Sequence, residues 1–303
     1  MNKRLVHGAT LVPLAIGAAS YMGTHTAAPA HEGATTASSQ QGPVSFGNDT
    51  LACTLPFSTI EKRQDIDESC GLQGAATVAA QILQNTTKNN FCVAGTPTDV
   101  VVSDFAVLQQ AAQDRRVTFG SAGRVPGDRS GLERPIDLGN GRKAAEGDLV
   151  HLVAYVIDAH ASDVAKGESV NCATPGAEYN DIHIVLGESP DDDPCDSVTA
   201  EISPHYRPTQ WNPAALNQVH RPLRFTGPLF FDASHSPCSN GKRANPPRQS
   251  LFEVHPVYHI DVCLIKPEGL ATDALLKACR EADDSRWMSL EQWTGSEDAD
   301  EPT

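Results

Sequence analysis

Two short stretches place groups able to do chemistry on one face of an extended chain. In Asn180-Asp181-Ile182-His183-Ile184-Val185-Leu186, Asp181 and His183 alternate with Ile182, Ile184 and Leu186. In Phe252-Glu253-Val254-His255-Pro256-Val257, Glu253 and His255 alternate with Phe252 and Val254. Successive side chains of a β-strand point to opposite faces, so each stretch sets a carboxylate and an imidazole about 7 Å apart, opposite an apolar row. Imidazole and carboxylate together suit zinc or another first-row metal. The same groups do general acid–base work without a metal, and a neighbouring carboxylate fixes a histidine's tautomer. Asp181, His183, Glu253 and His255 are therefore the candidate catalytic residues. The candidate metal ligands are these four with Asp232 and His235, which follow in Asp232-Ala233-Ser234-His235. Arg207, Arg224 and Arg248 stand close in sequence and are the candidate substrate-binding groups, because a guanidinium fork fits phosphate or carboxylate.

Glu201 and His205 belong to the same polar set, with Glu201 alone reading as a solvated strand face. Taken singly, each of these groups has an ordinary structural use in a turn, an ion pair or a hydrogen bond. Their recurrence on two strands with apolar backs is what points to a site. A carboxylate or imidazole on such a strand is costly to bury without partners, so Asp181, His183, Glu253 and His255 are expected to line one pocket, with Asp232 and His235 nearby.

Other chemistries lack their signatures. The chain contains no G-x-S-x-G, H-E-x-x-H, P-loop or Rossmann glycine set. The net charge is −15, which repels phosphate backbones and anionic membranes and disfavours non-specific nucleic-acid binding. A metal-dependent hydrolase of phosphodiesterase or nuclease type, with a small-molecule or phosphate-containing substrate, is the first functional expectation. A non-catalytic exported binding module for a small ligand, glycan or protein is the second.

The elements that must carry these residues read as mainly β. Asp148 to Ile157 is apolar nearly throughout, as a central strand is. Strands follow at Asp181–Leu186, Ser197–Ser203, Leu223–Phe231 and Leu251–Leu264. Gly227 marks a bend in the fourth, and Pro256 a bulge or edge in the fifth. Between the third and fourth, Trp211 to Asn217 reads as a short helix with Asn212 as N-cap and Pro213 in its first turn. That order predicts a five-stranded Greek-key barrel of the OB type, with its helix between strands 3 and 4. Upstream, Ala75 to Gln84 reads as a short helix, Thr98–Val102 as a strand, and a helix runs from Ser103 or Asp104 through Phe105, Leu108, Ala111 and Ala112. The Gly-rich stretch 120–141 reads as loop.

The domain expectation is a signal peptide over residues 1–30, a flexible linker over 31–47, and a cysteine-bearing cap region over 48–145. The barrel follows over 146–267, then a C-terminal helix over 268–293 and an acidic disordered tail over 294–303. Asn2-Lys3-Arg4, an apolar run to Gly23 and Ala28-Pro29-Ala30 form the export signature. Eight cysteines without close pairs fit disulfides better than a metal knot. The protein is thus expected to be exported, periplasmic or extracellular, and free of the membrane after cleavage.

Several runs resemble a family of uncharacterised exported bacterial proteins. They are Val153–His160, Lys166-Gly167-Glu168-Ser169-Val170-Asn171-Cys172, Asn180–Ile184, Phe225-Thr226-Gly227 through His235, and Phe252–Val257. The resemblance covers about residues 65 to 265, the size of one domain plus a cap. It supports the choice of motif residues and implies no reaction. The family usually carries Trp at the position of Phe252, so an indole N–H contact is missing here.

Overall fold

The computed structural model describes residues 64–239 and 241–293, with the backbone of two short strands before them. Those are β1 (Val44–Phe46) and β2 (Asp49–Leu51), an antiparallel pair. β1 falls inside the stretch expected to be linker. The expected signal peptide and acidic tail lie outside the described residues.

The elements then run in order: α1 (Ala79–Lys88), β3 (Thr98–Val100), α2 (Asp104–Asp114), β4 (Ile136–Gly139) and β5 (Arg142–Ala144). Next come β6 (Leu149–Ala161), β7 (Ile182–Gly187), β8 (Val198–Ile202), α3 (Pro213–Asn217) and β9 (Leu223–Phe231). The last are β10 (Phe252–Val254), β11 (His259–Cys263), α4 (Thr272–Arg280) and β12 (Trp287–Ser289).

β6 organises the barrel. Its 13 residues are longer than one partner needs. Residues 149–154 pair antiparallel with β9, and residues 155–161 pair antiparallel with β7 across a register shift between Val156 and Asp158. A bulge of this kind bends a strand and increases its twist, which lets β6 serve two neighbours. The circuit then closes through β7, β8, β10 and β9. β8 and β10 are parallel and the other contacts antiparallel. This is the five-stranded Greek-key barrel expected from the strand order, with α3 between its third and fourth strands. α3 is capped as its sequence suggests, the Asn212 side chain accepting from the Ala215 N–H at 3.0 Å.

The expected fifth strand is two strands. β10 ends at Val254 and β11 starts at His259, and the cis His255–Pro256 peptide lies in the gap. Proline lacks the N–H a ladder needs. After the gap β11 pairs with the first half of β9, extending the sheet beyond the barrel. The corner presses on β9 at Gly227, where a Cβ would lie 2.4 Å from the Pro256 carbonyl oxygen.

Ile182, Ile184, Leu186, Val198, Ala200, Ile202, Phe252 and Val254 belong to one buried apolar cluster. α2 joins it through Phe105, Leu108 and Ala112, and β3 adds a parallel strand to β6. Part of the stretch expected to be loop, Ile136–Gly139, is instead the first strand of the β4–β5 hairpin. Disulfides Cys70–Cys172, Cys195–Cys238 and Cys263–Cys279 hold the surrounding loops. Cys92 is also disulfide-bonded.

Candidate functional site

The register of three barrel strands assembles a polar face. His183 on β7 stands opposite Glu201 on β8. Glu253 on β10 stands opposite Thr199 on β8, so His255, two residues on, is level with Glu201. Alternation places the apolar neighbours of these residues in the barrel, and the polar groups outside it under the N-terminal region. The expected solvated Glu201 is in fact fully buried, at 0% exposure, and is the hub of the cluster. Its Oε1 lies 2.9 Å from His183 Nε2, while its Oε2 lies 2.6 Å from Lys88 Nζ and 3.6 Å from His255 Nε2.

Helix α1 covers this face in an inverted manner. It buries Gln84, Asn85 and Lys88 and leaves Leu83 exposed. Sequence reading ended the helix at Gln84 and so missed Lys88, whose side chain is 9% exposed. Its ammonium also lies 3.2 Å from Asp181 Oδ2 and 4.0 Å from Glu253 Oε1. Glu253 is bonded in turn by Arg248 NH1 at 2.9 Å. His255 Nδ1 lies 2.7 Å from the Lys88 carbonyl, and its Nε2 3.2 Å from Asp181 Oδ2.

Two groups of donors are close enough to hold a metal ion. Glu168, His183 and Glu201 form one, and Asp181, Glu201 and His255 the other, with the donor atoms of each group within 4.8 Å of one another. Glu168 comes from the loop between β6 and β7, and its Oε1 is 3.5 Å from His183 Nε2. Neither carboxylate contact of that nitrogen has hydrogen-bond geometry, and Glu201 Oε1 is likewise left without a hydrogen bond. The three donors converge as a close ion-paired group. Burial opposes charge on His183, but Glu201 and Glu168 override it and lift its pKa to about 10. Burial likewise opposes charge on Asp181, and Lys88 and His255 hold it at about 2 nonetheless.

Beside this face is a cavity of about 460 Å³. Its wall is built from α1 (Gln81, Gln84, Asn85, Lys88), the β6–β7 loop (Glu168 among others), His183, and the β9–β10 loop (Asp232, Ser234, His235, Asn245, Pro246). His235 Nε2 lies 3.3 Å from Asp232 Oδ2. Burial lowers the His235 pKa, with Asp232 acting against it, which leaves the ring neutral near pH 7. Asp232 is itself held in place, its Oδ1 accepting from Gln84 Nε2 at 3.3 Å and from the Ser234 N–H at 3.1 Å. Gln84 Oε1 accepts from Arg129 NH1 at 3.4 Å, and Arg129 Nε donates to Glu146 at 2.7 Å.

The structure thus brings Asp181, His183, Glu253 and His255 into one cluster and sets Asp232 and His235 on the adjoining cavity. The three arginines do not reach that cavity. Arg224 donates to Asp261 at 3.0 and 3.1 Å and to Asp284 at 3.0 Å, and lies over the Trp287 ring. Arg207 clamps the carbonyls of Ala177, Asn180 and Ile202, tying the β6–β7 loop to the end of β8. Arg248 is fully buried against Glu253. Each guanidinium bonds acceptors of the protein itself, while Arg248 Nε and NH2 and Arg207 Nε make no hydrogen bond. His205 is likewise engaged, 2.6 Å from Asp67. Glu168 and Lys88 are the cluster residues that sequence reasoning did not single out.

No known protein family, curated protein or solved structure matches the chain.

Proposed function

We propose that the protein is a metal-dependent hydrolase working in the cavity between α1 and the β6–β7 and β9–β10 loops. The observation that carries this reading is the convergence of Glu168 Oε1, His183 Nε2 and Glu201 Oε1 beside that cavity, two of these atoms lacking hydrogen bonds. Three protein donors with one open side suit a catalytic rather than a structural divalent-cation site. A zinc or similar ion there would polarise a substrate oxygen and lower the pKa of a water. Two carboxylates and one imidazole also accept manganese.

The chain's own residues supply the rest. Asp232 orients His235, whose neutral ring faces the cavity and can take a proton from water. Gln84 and Arg129 hold Asp232 by a run of hydrogen bonds from Glu146. The volume suits a drug-sized ligand or one segment of a polymer. Its wall offers amides (Gln81, Gln84, Asn85, Asn245) and serine hydroxyls, and no arginine among the described lining. Within hydrolases, that lining favours a neutral hydroxyl- or amide-bearing substrate over a polyanion.

The alternative, a binding module without turnover, draws support from position, since barrels of this topology bind ligands on the faces and loops used here. Turnover separates the two. Metal-stripped and metal-reloaded protein would be assayed on chromogenic esters, glycosides and phosphodiesters. The hydrolase reading expects activity only in the reloaded protein. It also expects a fall of about a hundredfold or more in kcat for His235→Ala with metal content unchanged. Blank assays across the panel with metal bound would favour the binding module.

Export is part of the same reading. The disulfides Cys70–Cys172, Cys195–Cys238 and Cys263–Cys279 fit an oxidising compartment. No helix among the described residues is long and apolar enough to cross a membrane.

A further inference from the structure

We propose that Lys88 is a tethered cation standing in a second divalent-cation site, formed by Asp181, Glu201 and His255 and bridged through Glu201 to the Glu168–His183–Glu201 site. This rests on the metal reading above for the first site only. The second site is argued from its own geometry.

Asp181, Glu201 and His255 present donor atoms within 4.8 Å of one another, and all three are fully buried. His255 is oriented as a metal ligand is. The Lys88 carbonyl can only accept, so His255 Nδ1 carries the proton of their 2.7 Å hydrogen bond. Its Nε2 points at Asp181 Oδ2 at 3.2 Å and at Glu201 Oε2 at 3.6 Å, so an ion replacing the ammonium would meet this nitrogen together with both carboxylates. A backbone carbonyl holding the remote nitrogen of a histidine is the usual second layer of a metal site. Yet the group among these donors is an ammonium. Lys88 Nζ lies 2.6 Å from Glu201 Oε2 and 3.2 Å from Asp181 Oδ2.

Glu201 faces both ways. Oε1 belongs to the His183 side and Oε2 to the Lys88 side. A carboxylate shared between two cations is the arrangement a two-metal hydrolase would need. Here one of those positions is filled by a side chain that cannot dissociate. Lys88 delivers the ammonium from the last residue of α1, and its own carbonyl orients His255. The same residue occupies the site and shapes it. Lys88 also lines the cavity, so the fixed ammonium stands behind its wall where a second ion would otherwise lie.

Equilibrium dialysis against Mn²⁺, with bound metal measured by atomic absorption, tests this. Wild type should bind one ion per chain and Lys88→Met two, with Lys88→Met/Asp181→Asn returning to one. In the wild-type background Asp181→Asn should keep its single ion, because Asp181 holds the ammonium and not the metal. That variant keeps the proposal open to refutation even where Lys88→Met fails to fold. Equal stoichiometry in folded wild type and Lys88→Met, two ions in wild type, or loss of the ion in Asp181→Asn would overturn the proposal. Zero ions in wild type and one in Lys88→Met would sink the first site while upholding the second. Zero in both would sink both.

Discussion

Glu201 shows how much of this chemistry depends on neighbours a single strand does not reveal. Its carboxylate is flanked by His183, His255 and Lys88 from three different elements. These cations hold its pKa well below the ordinary range although burial pushes the other way. Asp232 offers a cleaner test. Burial raises its pKa, but His235, Lys88, Arg248 and the Ser234 hydroxyl together lower it to about 2. A depressed carboxyl contributes stability that is fully present above its unfolded pKa and lost as pH falls through the folded one. The contribution is on the order of 2 kcal/mol, lost between about pH 4 and pH 2. Urea unfolding across that window should therefore show wild type losing its advantage over Asp232→Asn as the pH drops. A gap between the two that does not shrink toward pH 2 would contradict this account of Asp232.

The Asp181-x-His183 and Glu253-x-His255 pairs were legible because alternation sorts a strand's faces without tertiary information. Glu201 was visible only as a polar strand residue, since its burial depends on what covers the barrel. Glu168 stood in a motif but not on a strand, so no periodicity marked it.

At the scale of elements, α1 is the informative failure. Its sequence, Ala79 to Lys88, carries two threonines and an asparagine near the end, which favour caps and turns over helix interiors. The expected end at Gln84 falls just before that stretch. Helices usually bury their apolar stripe, whereas α1 buries Gln84, Asn85 and Lys88 because the surface beneath it is charged. The barrel was legible by contrast, because strand order and the helix between strands 3 and 4 depend on local pattern. The division of the last strand was half legible. Pro256 marked the break, but the second pairing of β11 with the start of β9 is a long-range choice. Gly227 is where that choice constrains the sequence. Gly227→Ala would drive a Cβ to 2.4 Å from the Pro256 oxygen. Overpacking of this kind should cost about 2 kcal/mol or more, read as a lower urea midpoint. Full stability in Gly227→Ala would show that the corner can relax.

For the molecule as a whole, the N-terminal cap region is part of the candidate site, not decoration on a barrel. It supplies Lys88 and Gln84 and is tied to the β6–β7 loop by Cys70–Cys172 and by the Ala75 N–H donating to the Ser169 carbonyl at 2.7 Å. That disulfide spans 102 residues of sequence. Chain entropy alone assigns such a closure about 4–5 kcal/mol. The double variant Cys70→Ala/Cys172→Ala should lose stability on that scale, and it should also lose metal affinity because Glu168 sits in the stapled loop. Lost stability with unchanged metal affinity would mean that Glu168 is placed independently of the staple.

The central claim is that Glu168, His183 and Glu201 hold a divalent cation at the cavity. The most direct measurement is anomalous X-ray scattering from crystals of the full chain soaked in Mn²⁺ or Zn²⁺. The account predicts one peak about 2.0–2.2 Å from His183 Nε2 and from oxygens of Glu168 and Glu201, absent in Glu168→Gln. No peak beside His183, in crystals where the ion occupies only surface carboxylates, would contradict it.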